Sequence, residues 1–421
     1  MLVVFSGSSI RRKTILLKTR ADSVFSVAST GFSGMNPTSY DIIVVGAGIV
    51  GAAFCAALKG SGLELALVEP HPPAAPTPEW DARIYAISPG SARFLNELGV
   101  WQGFDAARIA PVYGMEISGD TGAQLDFDAY AAGLPQLAWI MESNRIQHGL
   151  WTALQQQSNL ALFAGARCAE LGWSASGARL ALADGTVLHS KLIVAADGGH
   201  SWVRQQASIT VTRRDYGQLG VVANFECTRS HANIARQWFR ADGVLAWLPL
   251  PGRRFSMVWS TDEAHAQTLL ALPGAELAER VAQAGGHALG ALDLLGAPAA
   301  FPLALTRVDA LVKPGLALIG DAAHGVHPLA GQGVNLGLRD ARELAQVLRA
   351  RGAASCGELP LLRRYERARK EDILTMQGVT DGLHALFGST HPGLTRLRNT
   401  GLDLTNRLNL VKNLLMQHAL A

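Results

Sequence analysis

The sequence predicts an α/β fold: a parallel, helix-flanked unit, interrupted by a mostly antiparallel sheet and followed by C-terminal helices. Three observations predict it. The β-branched run Ile42-Ile43-Val44-Val45 leads through spaced glycines into an alanine-rich stretch. Two later apolar runs end at an acid beside a glycine, Asp197-Gly198 and Gly320-Asp321. Between them, segments such as 220–226, 244–250 and 255–260 alternate like sheet strands.

The chain has 421 residues, 48% apolar and 17% charged, which excludes intrinsic disorder and leaves room for more than one core. A net charge of +3 gives no argument for nucleic acid. The four cysteines, at 55, 168, 227 and 356, form no C-x-x-C pair, so neither a zinc site nor a disulfide framework is expected. Residues 1–39 read as a leader. Arg11, Arg12, Lys13, Lys18 and Arg20 face a single acid there, Asp22, in a Ser/Thr-rich stretch. That pattern suits a targeting segment or a disordered tail. Met35 opens a second natural-looking start.

Residues 42–58 run without a charge, at the lower limit for a membrane span. Asp41 and Lys59 close the run, and Gly46-x-Gly48-x-x-Gly51 interrupts it, so strand, turn and helix explain it better. Each glycine has a task. Gly46 permits the tight turn, Gly48 lets backbone approach a pyrophosphate, and Gly51 allows helix-on-strand packing. The helix N-terminus then faces the phosphates. A second apolar strand, Leu65-Ala66-Leu67-Val68, ends in Glu69, where an acid binds a ribose hydroxyl. The acid disfavours a 2′-phosphate, so the site is for NAD or FAD rather than NADP.

The downstream motifs extend the pattern. Asp197-Gly198 is followed by Ser201 and Arg204 at a helix start. Gly320-Asp321-Ala322-Ala323-His324 is followed by Pro328, Gly331-Gln332-Gly333 and Asn335, then by helical spacing at Leu338, Ala341, Leu344, Ala345 and Leu348. Such a helix start favours negative charge.

These motifs, in this order, resemble the class A flavoprotein monooxygenases, with a Rossmann-type FAD-binding domain of the para-hydroxybenzoate hydroxylase type. More narrowly the chain resembles the ubiquinone-biosynthesis hydroxylases, from about Tyr40 onward. Asp81-Ala82-Arg83, Glu142-Ser143-Asn144-Arg145 and Ala246-Trp247-Leu248-Pro249-Leu250 belong to the resemblance.

The resemblance implies roles. Gly46, Gly48 and Gly51 hold the FAD pyrophosphate, and Glu69 the adenosine ribose. Arg83 and Arg145 contact the phosphates or the ring edge. Asp197 and Gly198 serve both FAD and the nicotinamide co-substrate, and Asp321 meets the ribityl chain. Gly331, Gln332 and Gly333 offer N–H groups to the pyrimidine, with Asn335 in the same motif. No second G-x-G-x-x-G is present, which fits a family in which NAD(P)H visits without its own Rossmann domain. The implied reaction is hydroxylation of a polyprenylated phenol ring. NAD(P)H reduces FAD, dioxygen adds at C4a, and the hydroperoxide delivers OH. No catalytic acid or base can be named. The implied setting is the cytoplasm, with peripheral contact at the inner membrane face and with other quinone-biosynthesis proteins. An FAD-dependent reductase or dehydrogenase of a lipid, or a flavin-binding scaffold, are the competing readings.

The expected organisation is an FAD domain at 40–205 and 301–350, a substrate domain at 206–300 and a helical region at 351–421. Several features stay open. Trp238, Trp247 and Trp259 either line a substrate pocket or form sheet core. His324 and His327 read as loop or packed residues rather than metal ligands. Arg363, Arg364, Arg367, Arg369 and Lys370 read as a solvated helix face. Leu404, Leu408, Val411 and Leu415 read as an amphipathic stripe that packs on the body or meets lipid. The sequence has no G-x-S-x-G, H-E-x-x-H or P-loop motif.

Overall fold

Three strands with sequence-predicted motifs lie side by side in one parallel sheet, with the Glu69 strand beside them. The computed structural model describes residues 39–119, 122–326 and 333–387. The first sheet runs in the order Val312–Lys313, Leu316–Leu318, Val187–Ala195, Ser39–Val45, Leu65–Glu69, Leu160–Ala164. Val44 lies opposite both Val194 and Leu67, and Ala195 lies opposite Leu318, all in parallel pairings. Ser39, placed in the leader by sequence, already pairs with His189. Ile42, Ile43, Val44, Ile193 and Val194 are fully buried, as strands covered on both faces must be. Each such side chain contributes roughly 1.5–3 kcal/mol by leaving water. A hairpin of Cys168–Ser174 and Gly177–Leu182 extends the outer half of this sheet through strand 187–195.

The second sheet has the order His324–Gly325, Leu292–Val308, Val211–Cys227, Arg254–Asp262, Gly243–Leu250, Ile234–Arg240, Gly114–Ser118, Gln124–Asp128. It is antiparallel except where Ile234–Arg240 meets Gly114–Ser118. The sheet therefore draws in Gly114–Ser118, Gln124–Asp128 and residues 301–308, beyond the 206–300 stretch that sequence character marks out. The helices Glu263–Ala271 and Gly274–Ala284 cover one face, over Phe225, Phe255, Trp247, Trp259, Leu277 and Val281. Trp247 and Trp259 are thus core residues, and Trp238 packs beside them. The opposite face turns Leu248 and Leu250 onto a three-stranded sheet, Ile84–Ile87, Ala138–Glu142 and Ala110–Val112.

The helix Gly333–Arg349 packs on the first helix, Ile49–Ala57. Val50 fills the space where Gly320 and Gly337 lack side chains; an added Cβ would stand 3.2 Å and 2.5 Å from its methyls. The helix Leu359–Phe387 closes the fold, its Tyr365 hydroxyl donating to the Leu318 carbonyl at 2.8 Å. Arg363, Arg364, Arg367 and Lys370 are exposed on it, as expected. Arg369 is not: it is buried against Asp340. His327, Pro328, Gly331, Gln332 and the stripe from Leu404 lie outside the described residues.

Candidate functional site

Parallel strands deliver their carboxyl ends to one crevice, where ligands of such sheets bind. Here that end gathers the Gly46 turn, Glu69, Asp197 and Gly320-Asp321. The glycines act as their positions suggest. Gly46 has φ +102°, and a Cβ on it would lie 2.4 Å from the Ala196 carbonyl oxygen. A Cβ on Gly51 would lie 2.1 Å from the Gly46 oxygen, so helix and strand touch through it. A Cβ on Gly48 would meet no protein atom within 4 Å. Gly48 is also the helix N-cap, without a side-chain cap, so the first-turn N–H groups remain available to an anion. Glu69 stands beside this loop. Its two oxygens accept from Ala47 N at 2.6 Å and His71 N at 2.8 Å. From the other side, Gln147 Nε2 donates to the Ala47 carbonyl at 3.3 Å.

Asp197 Oδ2 accepts from Val203 N at 3.0 Å, while its enclosed Oδ1 has no partner. Burial pushes this carboxyl up, against the hydrogen bonds from Ser201 and the Val203 backbone. Gly198 follows at φ +81° with open space around its Cα. Ser201 caps the short helix behind it, accepting from Arg204 N. The buried Arg204 guanidinium donates to Gly199 O and Ala322 O, both at 2.8 Å.

Asp321 is reached by solvent yet crowded by protein, as a carboxylate on the floor of an open crevice is. Burial pushes its carboxyl up, with His324 and Arg83 pulling the other way. Arg83 therefore shares this crevice, its guanidinium 4.7 Å over the Phe301 ring. Tyr85, two residues on in the strand Ile84–Ile87, has its hydroxyl pushed up by burial and feels both Arg83 and Asp321.

Two further motif residues bond within the protein. Arg145 donates from Nε to Glu142 at 2.8 Å and from Nη2 to the Thr77 carbonyl. The Nε bond neutralises Glu142, which is fully buried and needs cations. Arg108 supplies the second one, bidentately. Glu142 Oε1 also takes Asp81 N, and Asp81 takes Asn144 N, so the two motifs at 81–83 and 142–145 are one structural unit. Asn335 is likewise a staple: its Oδ1 accepts from Ser88 N at 3.0 Å and its Nδ2 donates to Ala86 O at 2.8 Å. Gly333 opens its helix, as the sequence suggests.

His324 is buried, with Nε2 2.5 Å from Asp340 Oδ2. That contact gives the buried imidazole a partner. Asp340 was missed by sequence reasoning, although it falls four residues after Leu336 and four before Leu344, on the apolar stripe. Burial alone would push its carboxyl up; His324 and Arg369 outweigh it and hold the group below its ordinary range.

The crevice fits a flavin dinucleotide. An uncapped helix start and the open Gly48 suit phosphates, Glu69 and the orphaned Asp197 Oδ1 suit hydroxyl donors, and the accessible Asp321 suits a polyol chain.

Comparison with known proteins agrees. The family model described as FAD binding domain matches residues 39–376. The chain is 36% identical to the 3-demethoxyubiquinol 3-hydroxylase of Escherichia coli (strain K12), over 90% of this chain and 98% of that protein. It is 33% identical to the ubiquinone hydroxylase UbiL of Rhodospirillum rubrum, over 90% of this chain and 89% of that one. It is 30% identical to the mitochondrial ubiquinone biosynthesis monooxygenase COQ6 of Homo sapiens, over 91% and 92%. The fold is that of the p-nitrophenol 4-monooxygenase PnpA from Pseudomonas putida DLL-E4, with TM-score 0.74 at 17% identity over 91% of this chain and 99% of that one. A Klebsiella pneumoniae HpxO variant complexed with FAD superimposes with TM-score 0.72 at 20% identity, over 90% and 98%. The chain belongs to the FAD-binding-domain family of class A flavoprotein monooxygenases, among the hydroxylases of ubiquinone biosynthesis.

Proposed function

We propose that this enzyme hydroxylates the aromatic ring of a polyprenylated phenol, using NAD(P)H and dioxygen. The observation that carries the reading is the end-to-end identity of 36% to a protein named 3-demethoxyubiquinol 3-hydroxylase. The chemistry that FAD supplies when bound is two-electron reduction by NAD(P)H and activation of dioxygen for electrophilic attack.

The chain's own residues bind, orient and exclude water. Gly46, Gly48 and Gly51 would hold the pyrophosphate at the uncapped helix, Glu69 the adenosine ribose, and Asp321 the ribityl chain. Asp197 and Gly198 would serve FAD or the visiting nicotinamide. Gly333 begins the helix whose start would lie toward the pyrimidine, together with Gly331 and Gln332. The face of the second sheet away from its two helices, with Phe301 beside Arg83, would cover the ring and keep water out. No side chain is assigned as acid or base.

The proposed substrate dissolves in a bilayer, so the enzyme would work at the inner membrane face and beside other quinone-biosynthesis proteins. Among the described residues no helix is long and apolar enough to cross a membrane. The test is NAD(P)H oxidation with a short-chain prenylated phenol, alongside oxygen uptake and mass spectrometry of quinone intermediates in a deletion strain. Coupled oxygen uptake and a missing hydroxylated intermediate are expected. Substrate-stimulated oxidation without oxygen uptake would indicate a dehydrogenase instead, and none at all a scaffold.

A further inference from the structure

The turn that carries Asp321 is bracketed by Gly320 and His324, and both ends hang from one oxygen. Asp340 Oδ2 accepts from Gly320 N at 2.9 Å and from His324 Nε2 at 2.5 Å. Its Oδ1 accepts from Arg369 Nε at 2.8 Å. Asp340 is fully buried, and His324 and Arg369 nearly so. Gly320 sits at φ +60° with Val50 close against it, so the turn cannot relax toward the first helix. Arg369 is anchored in turn by Asp372, at 2.6 Å, and Asp372 also takes Arg339. The carboxylate therefore joins the 320–325 segment to both C-terminal helices.

We infer that Asp340 is a positioning residue, fixing Asp321 toward the flavin through Gly320 and His324. The inference rests on the reading of Asp321 as a flavin contact. It assigns different roles to the two oxygens. The Oδ2 side sets the turn, whereas the Oδ1 side anchors the carboxylate to the helix Leu359–Phe387.

A purely structural ion pair would lose stability and flavin affinity together in every variant. A positioning residue separates them. The test dilutes the holoenzyme and follows free flavin fluorescence, and records the unfolding midpoint in saturating FAD. His324→Gln and Asp340→Asn should weaken FAD binding by about tenfold or more, the order of one lost hydrogen bond. Arg369→Lys should lower the midpoint but leave FAD affinity within about twofold, because the turn keeps both its bonds to Oδ2. If Asp340→Asn does not fold, His324→Gln and Arg369→Lys decide the matter between them. Wild-type affinity in His324→Gln, or affinity that merely tracks the midpoint in both variants, overturns the inference. Asp321→Ala separates the two failures. If it keeps FAD, the flavin-contact reading falls and takes this inference with it. If it loses FAD while His324→Gln does not, only the positioning role falls.

Discussion

Arg204 donates from Nη1 to the carbonyl oxygen of Ala322 at 2.8 Å, across 118 residues of chain. The bond ties the loop after Asp197 to the turn containing Asp321. Two motifs far apart in sequence thus share one buried cation, which also holds Gly199.

The first prediction follows from that cation. Arg204→Met strands two carbonyls and should cost roughly 2–3 kcal/mol of stability. Arg204→Lys should lose less, since an ammonium can still reach one of them. Urea unfolding of the FAD-free proteins checks the order. Equal stability of Arg204→Met and wild type would remove the tie.

The two glycines of the nucleotide turn should fail differently. Gly51→Ala forces a Cβ to 2.1 Å from backbone oxygen, so it should destabilise the fold by roughly 1–3 kcal/mol or more. Gly48→Ala meets no protein atom within 4 Å. It should melt like wild type yet release FAD at least about tenfold more readily, because the intruding methyl occupies ligand space. Thermal unfolding of the FAD-free protein and flavin retention on dilution report the two effects separately.

Those glycines were legible in the sequence because their tasks are local. A turn, a close approach and a helix start are set by neighbours a few residues away, and Glu69 follows at the end of the next strand. Asp321 and Asp197 could be placed because each ends an apolar run. The pairings Glu142 with Arg108, and Asp340 with His324 and Arg369, were not legible. Their partners are 16 to 34 residues apart and meet only when separate elements of the fold pack. Arg145 and Asn335 show the converse: their motif positions were readable, but not that Arg145 also bonds Glu142 and Asn335 the 86–88 backbone. The membership of residues 114–118 in the second sheet was hidden for the same reason. That strand pairs in parallel with residues 234–238, which no local pattern records.

Acid titration gives a third prediction, with a definite sign. Asp340 is held below its ordinary pKa of 3.8, so the folded protein binds its proton less readily than the unfolded chain does. Its contribution is therefore fully present above pH 3.8 and is lost as pH falls below that value toward the depressed folded pKa. Asp340→Asn has no proton to bind there. Its stability should fall less steeply than wild type below that pH, from a lower starting value. Parallel acid limbs in urea-unfolding series would contradict the assignment.

The last prediction concerns Arg83, whose guanidinium rests 4.7 Å over the Phe301 ring. Arg83 is solvent-exposed and long, so without a partner it would sample many rotamers and spend little time facing Asp321. The ring face attracts the cation and narrows that choice, an effect of about 0.5–1 kcal/mol at an exposed site, or roughly two- to fivefold in affinity. If Arg83 meets the flavin from this position, Phe301→Leu should weaken FAD binding by that factor without lowering the unfolding midpoint. Phe301→Trp should restore or exceed wild-type affinity, since indole offers the stronger face. The two-residue cycle isolates the contact. In an Arg83→Met background Phe301→Leu should have no further effect on FAD release, whereas a ring that merely packs against the crevice would cost the same in both backgrounds.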